Sequence, residues 1–290
     1  MEGFYGRGYF SIGDTLLNWL DKKLRKPFEL IFYGERPTQT EAINLLKILS
    51  KESPRFIENI VGPSKFKSNF PIHCASGPWS VGNPLGIVDY YTADTYINST
   101  LLALANPAQN EEDWGSVHAV VGRGGHIIIL KDPLSTFVWH KATVSTIGPA
   151  STSSDSTIAI AYVNGGFLTQ TATGFFCGAN MYKMKEKVPP QRIINSNVWW
   201  DPFESAIIIS SIILKRLLAT ALPSLDISCF VNYGKLQFKH SGMQHPLWPF
   251  NAINLLAFNW VNLSNIKSLQ YSEFSLRLLK QFEFEVQKYI

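Results

Sequence analysis

The chain has 290 residues, 46% hydrophobic, 13% aromatic and 17% charged, with a formal net charge of +4. This composition excludes a disordered chain, and it excludes polyanion binding driven by the global charge balance. Three cysteines, Cys74, Cys177 and Cys229, with no CxxC pair exclude a disulfide framework and a structural zinc site of ordinary spacing.

The first sixty residues read mainly as helix. Asp14 can cap "TLLNWLDKKLRK", where Leu16, Leu17, Leu20 and Leu24 recur at helical spacing, and Pro27 is expected to stop it. A second helix starts at Thr38, which forms a capping box with Glu41, and Ser53-Pro54 is expected to begin a third that ends at Gly62-Pro63. From Ser64 to about residue 197 the pattern changes to short β-prone runs punctuated by Gly, Pro, Asn and Ser. These are "GIVDYYT", "SVHAVV", "HIIIL", "TFVWHKATVS", "TIAIAYV" and "GFFCGANMYKM", a sequence of strands that predicts a sandwich or barrel. In Thr157–Tyr162 the large side chains Ile158, Ile160 and Tyr162 share one face. The other face holds only Thr and Ala, so another layer or a neighbouring subunit can approach it closely.

Asp201, Pro202 and Glu204 predict a capped helix over 202–222 that is apolar nearly all round and therefore deeply buried. "ISCFVNYGKLQFKH" reads as a hairpin turning at 232–234. A last helix from about Ser272 carries Phe274, Leu278, Phe282 and Val286 at fourfold spacing. The expected fold class is α+β, a β-rich central body flanked by N- and C-terminal helices. Its segments are 1–63 (helical), 64–197 (β-rich core) and 198–290 (helical, with a hairpin), packed as one compact unit.

Several motifs invite chemistry. "VVGRGGH" resembles a phosphate loop, but Ile127-Ile128-Ile129-Leu130 after it predicts a strand where such a loop needs a helix. His118 and His126 flank this turn. In either hairpin register they lie too far apart to share one metal ion, which leaves His126 with Lys131 as an acid–base and charge-stabilising pair. Cys74 adjoins His73, but neighbours in an extended chain point apart, so His118, His126 or His140 could serve it only through the fold. His240 and His245 sit in a loop rich in aromatics and prolines that specifies no ligand. The sequence thus assigns no catalytic residue, no metal ligand and no cofactor. For a polyanion the candidate contact is Lys22, Lys23, Arg25 and Lys26 on the first helix.

The order Gly148-Pro149, a Ser/Thr run over 151–157, then Thr157-Ile158-Ala159-Ile160-Ala161 resembles one part of the jelly-roll coat proteins of small icosahedral RNA viruses. The resemblance implies a jelly-roll-like body, self-association and residence in a virion or host cytoplasm. Two departures stand beside it. A basic N-terminal arm is missing, and Val163-Asn164-Gly165 replaces the acidic pair that would supply metal ligands. With the low charge and many aromatics, the leading expectation is a self-assembling structural protein, a viral coat or capsid-type homo-oligomer with modest RNA contact. A nuclease or hydrolase built on His126 and Lys131, and a matrix-like peripheral membrane protein using the basic helix, are the alternatives. The run "AIIISSIIL" stops at Lys215, short of the ~20 residues that span a bilayer.

Overall fold

The computed structural model describes residues 22–70, 76–80, 82, 84–105, 116–140, 155–177, 182–183, 191–192, 199–201, 203–225, 253–254, 257–258 and 260. Three helices come first: α1 (Lys22–Tyr33), α2 (Gln39–Val61) and α3 (Pro63–Asn69). A four-stranded sheet follows, built from β2 (Gly86–Tyr91), β3 (Ala119–Val121), β4 (Ile127–Ile129) and β6 (Thr157–Tyr162) in the order β2-β6-β3-β4. β6 runs parallel to both neighbours, with Ile158 beside Ile87 and Ile160 beside Ala119. β3 and β4 pair antiparallel. The short helix α4 (Ile97–Leu104) lies in the connection from β2 to β3, and α5 (Ser205–Ala221) follows the strands.

Strands paired on both edges and covered on both faces read as continuous apolar runs, and β6 does. Every one of its side chains is at most 5% exposed. On one face Ile158, Ile160 and Tyr162 pack with Ile87, Val121 and Ile127 against α1, the first half of α2 and α5. On the other, Ala159, Ala161, Val120 and Ile128 pack against Ile57 of α2 and Leu101 of α4. α2 reaches both layers by passing the β4 edge. There the Ser53 hydroxyl donates to Leu49 O at 2.6 Å and accepts the Ile129 N–H at 2.8 Å, satisfying a donor of the edge strand.

Two smaller sheets complete the strands. β1 (Ser76–Pro78) pairs antiparallel with β5 (Thr136–Val138). β7 (Phe167–Thr171), β8 (Gly174–Cys177), β9 (Tyr182–Lys183), β10 (Gln191–Arg192) and β11 (Trp199–Trp200) form an antiparallel sheet in the order β10-β11-β7-β8-β9. Gly166 leads into β7 with φ +67°. A side chain there would meet the Tyr91 ring, 2.1 Å from where its Cβ would stand, so glycine is required on both counts.

The α+β class and the buried 202–222 helix agree with the sequence expectation. Several finer expectations are corrected. The central sheet departs from a jelly-roll-like sandwich, because β6 is parallel to both neighbours and helices cover its two faces. Pro27 does not stop α1, which continues to Tyr33. An interior proline costs about 3 kcal/mol, offset here by burial of Phe28, Ile31 and Phe32, all at most 3% exposed. Pro54 likewise lies inside one continuous α2, not at the start of a third helix. Asp201 does not cap α5, whose N-cap is Glu204, because the Asp201 carboxylate is engaged elsewhere. The Ala face of β6 is closed by this chain's own α2 and α4, so it offers no surface to a neighbouring subunit. The 14–21 part of the first helix, the 226–239 hairpin and the helix from Ser272 lie outside the described residues.

Two cations are buried completely in α5. Lys215 Nζ donates to Asp89 Oδ2 at 2.6 Å and to Asn254 Oδ1, while Tyr162 Oη donates to Asp89 Oδ1 at 2.9 Å. Arg216 donates through Nη1 to Ile31 O and Phe32 O, at 2.7 and 2.8 Å, and through Nε to Ala257 O. Its guanidinium thus satisfies carbonyls at the C-terminal end of α1, where a positive charge complements the helix dipole. Burial, then the neighbouring Arg36, brings the Arg216 pKa down to about 10, still leaving it charged at neutral pH.

Because Ala159 is fully buried under α2 and α4, added volume there must strain the layer. Ala159→Leu is expected to destabilise the chain by about 1–3 kcal/mol. Urea unfolding of the two proteins checks this, and equal midpoints would contradict a closed second face.

Candidate functional site

On the second sheet face, residues from four strands and their flanks bring two imidazoles, a phenol and several hydroxyls together. His118, just before β3, donates its backbone N–H to Ala159 O at 2.9 Å. Its ring continues the ladder: Nδ1 accepts the Ala159 N–H at 3.0 Å and Nε2 lies 2.9 Å from Thr136 O. An amide N–H can only donate, so this bonding assigns the proton to Nε2. Trp79 stacks on the ring at 5.4 Å, and its indole N–H donates to Pro133 O. Burial drives the His118 pKa down to about 3, with the bond to Thr136 O opposing and the neighbouring His140 adding in the same sense as burial.

His140 follows β5 and connects three elements. Its Nδ1 lies 2.8 Å from Tyr90 Oη on β2, and its Nε2 lies 3.0 Å from Thr157 Oγ1 on β6. Tyr90 Oη also donates to the backbone O of His140 at 3.0 Å. Nε2 also lies 3.3 Å from Thr157 O, so two tautomers satisfy the bonding: with Nδ1–H donating to Oη, Nε2 accepts from the Thr157 hydroxyl, and with the proton on Nε2 it donates to Thr157 O while Nδ1 accepts from Oη. Burial pushes His140 down to about 4 and, with a smaller contribution from Asp89, raises the Tyr90 phenol well above its usual range. At neutral pH the arrangement is an uncharged imidazole holding a protonated phenol. Ser116 stands beside it, with its N–H bonded to Trp139 O at 2.7 Å and its buried Oγ without a hydrogen-bond partner among the described residues. Trp139 is 43% exposed and marks where the cluster meets solvent. The array can hold and pass a proton along Tyr90, His140 and Thr157.

A second polar array closes the carboxyl ends of the parallel strands. Arg123, in the β3–β4 turn, binds Asp201 through both Nη atoms at 2.6 and 3.2 Å and Glu204 through Nε at 3.0 Å. Asp201 Oδ2 also accepts the Gly165 N–H, and Asn164 Nδ2 donates to Asp201 O. Burial opposes the Arg123 charge, but bonding to Asp201 and Glu204 outweighs it and raises its pKa. These contacts consume the fork and the carboxylates, so the array is a clasp between the sheet and α5.

The residues singled out in the sequence are only partly brought together. The "VVGRGGH" segment is a hairpin turn, with the Gly122 N–H bonded to His126 O, as the strand after it required. His126 stacks on Phe56 at 4.4 Å. Lys131 lies beyond the other end of β4, about 17 Å of extended chain away, so the His126/Lys131 acid–base pair is not assembled. His118 is bonded at both ring nitrogens and likewise separate from His126. Of the basic patch, Arg25 is half-buried and Lys26 exposed, while the side chains of Lys22 and Lys23 are not described. His73, Cys74, His240 and His245 lie outside the described residues. Cys177 is a buried thiol whose pKa is raised by burial to about 11. Among the described residues no group of three His, Cys, Asp or Glu side chains is placed to hold a metal ion, and no helix is long and apolar enough to cross a membrane. No protein-family model, curated protein or solved structure matches the chain.

Tyr90 and His140 were not legible as a pair because fifty residues separate them. The signal available was weaker: Tyr90 falls on the same face of its strand as Val88, opposite Asp89.

Both buried histidines bind protons later in the folded chain than in the unfolded one. The unfolded imidazole titrates near ~6.5, whereas the folded ones titrate at about 3 and about 4. Stability is therefore complete above that unfolded value and falls as pH drops below it, by about 1.4 kcal/mol per pH unit for each histidine. Urea midpoints across the mildly acidic range should fall steadily, and His118→Asn should remove about half of that slope.

Proposed function

We propose that the chain is an acid–base enzyme of the hydrolase class, with the Tyr90–His140 pair at its centre. The carrying observation is the 2.8 Å contact between Tyr90 Oη and His140 Nδ1, continued from Nε2 to Thr157 Oγ1 at 3.0 Å. The raised phenol keeps its proton at neutral pH and can donate it to a leaving group or a developing oxyanion. His140, as the neutral imidazole behind it, orients the phenol and returns a proton to it. Water supplies the hydroxyl group to the bond being cleaved, and its proton restores the pair. Tyr90 and Thr157 stand on the adjacent parallel strands β2 and β6, which give this pair a rigid floor, as a site of this kind needs.

The test is turnover of a panel of chromogenic esters, amides and phosphodiesters by the full chain. One class should be hydrolysed, and Tyr90→Phe and His140→Asn should each lower kcat by about 100-fold or more while circular dichroism and Tm stay near the parent's. No turnover of any class, or turnover indifferent to both substitutions, rejects the reading.

A second reading keeps the self-assembling, coat-type subunit, resident in a virion or host cytoplasm. Two exposed aromatics favour it, Trp139 at 43% and Tyr96 at 39%, on a chain only 17% charged. Homo-oligomers should then appear in sedimentation velocity at high concentration, and Trp139→Ser with Tyr96→Ser should shift them toward monomer. If Lys22, Lys23, Arg25 and Lys26 contact four phosphates of RNA, log affinity should fall against log salt with a slope near ~−3. A strict monomer under all conditions removes this reading.

A further inference from the structure

The outer face of α2 carries a row of cations. Ala42, Leu45, Leu46, Leu49, Ser53 and Ile57 turn one side of this helix into the core. The opposite side is exposed, and Lys47, Lys51 and Arg55 follow one another along it at every fourth residue. Side chains four apart in a helix lie one above the other, so successive members of the row stand about 6 Å apart along the axis. The helix beneath them is continuous through Pro54 and closed at its start by the Thr38 capping box, which fixes the spacing.

These charges are not neutralised by the fold. Among the described residues no ion pair engages Lys47, Lys51 or Arg55. Of the acids on the same helix, Glu41 is bonded to Thr38, and Glu52 and Glu58 are half-buried. The formal net charge of +4 therefore understates the local positive field along α2. Thr40 and Asn44, also exposed, precede the row on the same side and add hydrogen-bonding groups of the kind that bind phosphate oxygens.

The chemistry of this face separates two polyanions. A helix lying on an anionic membrane buries its apolar side among the lipids. In α2 that side is packed into the core, and the large exposed hydrophobics among the described residues, Tyr96 and Trp139, both lie off the helix. A nucleic-acid strand requires no such insertion. Its charges recur every ~3.4 Å along the duplex axis, so each cation of the row can take a separate phosphate.

We infer that the Lys47, Lys51 and Arg55 row on α2 binds the phosphate backbone of a nucleic acid, without regard to base sequence. This surface is separate from Lys22, Lys23, Arg25 and Lys26, and it stands whether or not the Tyr90–His140 pair is catalytic.

The experiment is fluorescence anisotropy of a labelled oligouridylate titrated with the full chain across a salt series. Replacing all three by glutamine (Lys47→Gln, Lys51→Gln and Arg55→Gln) should weaken binding at low salt by about tenfold or more, and should flatten the slope of log affinity against log salt by about 2. Circular dichroism and Tm should stay near the parent's, since glutamine suits an exposed helix position as well as lysine does. Lys47→Arg with Lys51→Arg, which keeps the charge, should bind as the parent does. Affinity and slope unchanged by the triple substitution overturn the inference. So do equal losses from the single substitutions Lys51→Gln and Lys26→Gln, which would assign the binding to net charge. Sedimentation with phosphatidylserine vesicles is the second arm. Row-dependent binding there, without binding to the oligouridylate, makes a membrane surface the partner and overturns it as well.

Discussion

Complete burial of β6 is the constraint on which the rest of the structure depends. A strand paired on both edges satisfies its backbone through its neighbours, but each of its faces must also be removed from water. The large side chains Ile158, Ile160 and Tyr162 meet the thick helical layer of α1, α2 and α5. Ala159 and Ala161 allow α2 and α4 to come close on the other side. Beside them the imidazole of His118 accepts the Ala159 N–H. The small residues are thus what lets helices and histidines share one side of the sheet.

Polar groups inside this core do not simply add stability. Burying Lys215 costs several kcal/mol in desolvation, which its bonds to Asp89 and Asn254 offset only in this geometry. Burial lowers its pKa while Asp89 acts in the opposite sense. Such contacts specify arrangement. Lys215 fixes α5 over β2, Arg216 fixes it against the end of α1, and Arg123, through Glu204, fixes its N-cap to the β3–β4 hairpin. Three charged clasps along one helix define its rotation and its position along the sheet, which apolar packing of an all-round Ile and Leu surface would leave loose.

The same scaffold explains why the candidate site takes the form it does. Tyr90, His140 and Thr157 come from three separate strands or their flanks: the β2–β6 pairing holds Tyr90 and Thr157, and His140 follows Trp139, whose O accepts the Ser116 N–H. An uncharged imidazole and a protonated phenol suit a site that is largely buried, because neither demands the solvation an ion would need. The neutral states of these groups follow from burial, and burial follows from the packing of the sheet.

Local pattern was sufficient for some of this. The capping box at Thr38 and Glu41, the hairpin after Val121, the alternation within Thr157–Tyr162 and the all-round apolar helix near 205–221 depend on neighbours within a few residues, and they were readable from sequence. Pro27 and Pro54 misled because a local penalty of a few kcal/mol was outweighed by burial contributed from distant elements. Strand direction, and with it the difference between a jelly-roll-like sandwich and a mixed sheet, carries no local signature, since a parallel or an antiparallel partner can satisfy the same apolar run. The Tyr90–His140 contact joins residues fifty apart, and the Lys215–Asp89 clasp residues 126 apart. Residue type and short-range spacing determined which elements form. Only the tertiary structure decided which of their polar side chains meet, because pairing across such distances depends on the register and direction of strands that the sequence between them does not encode.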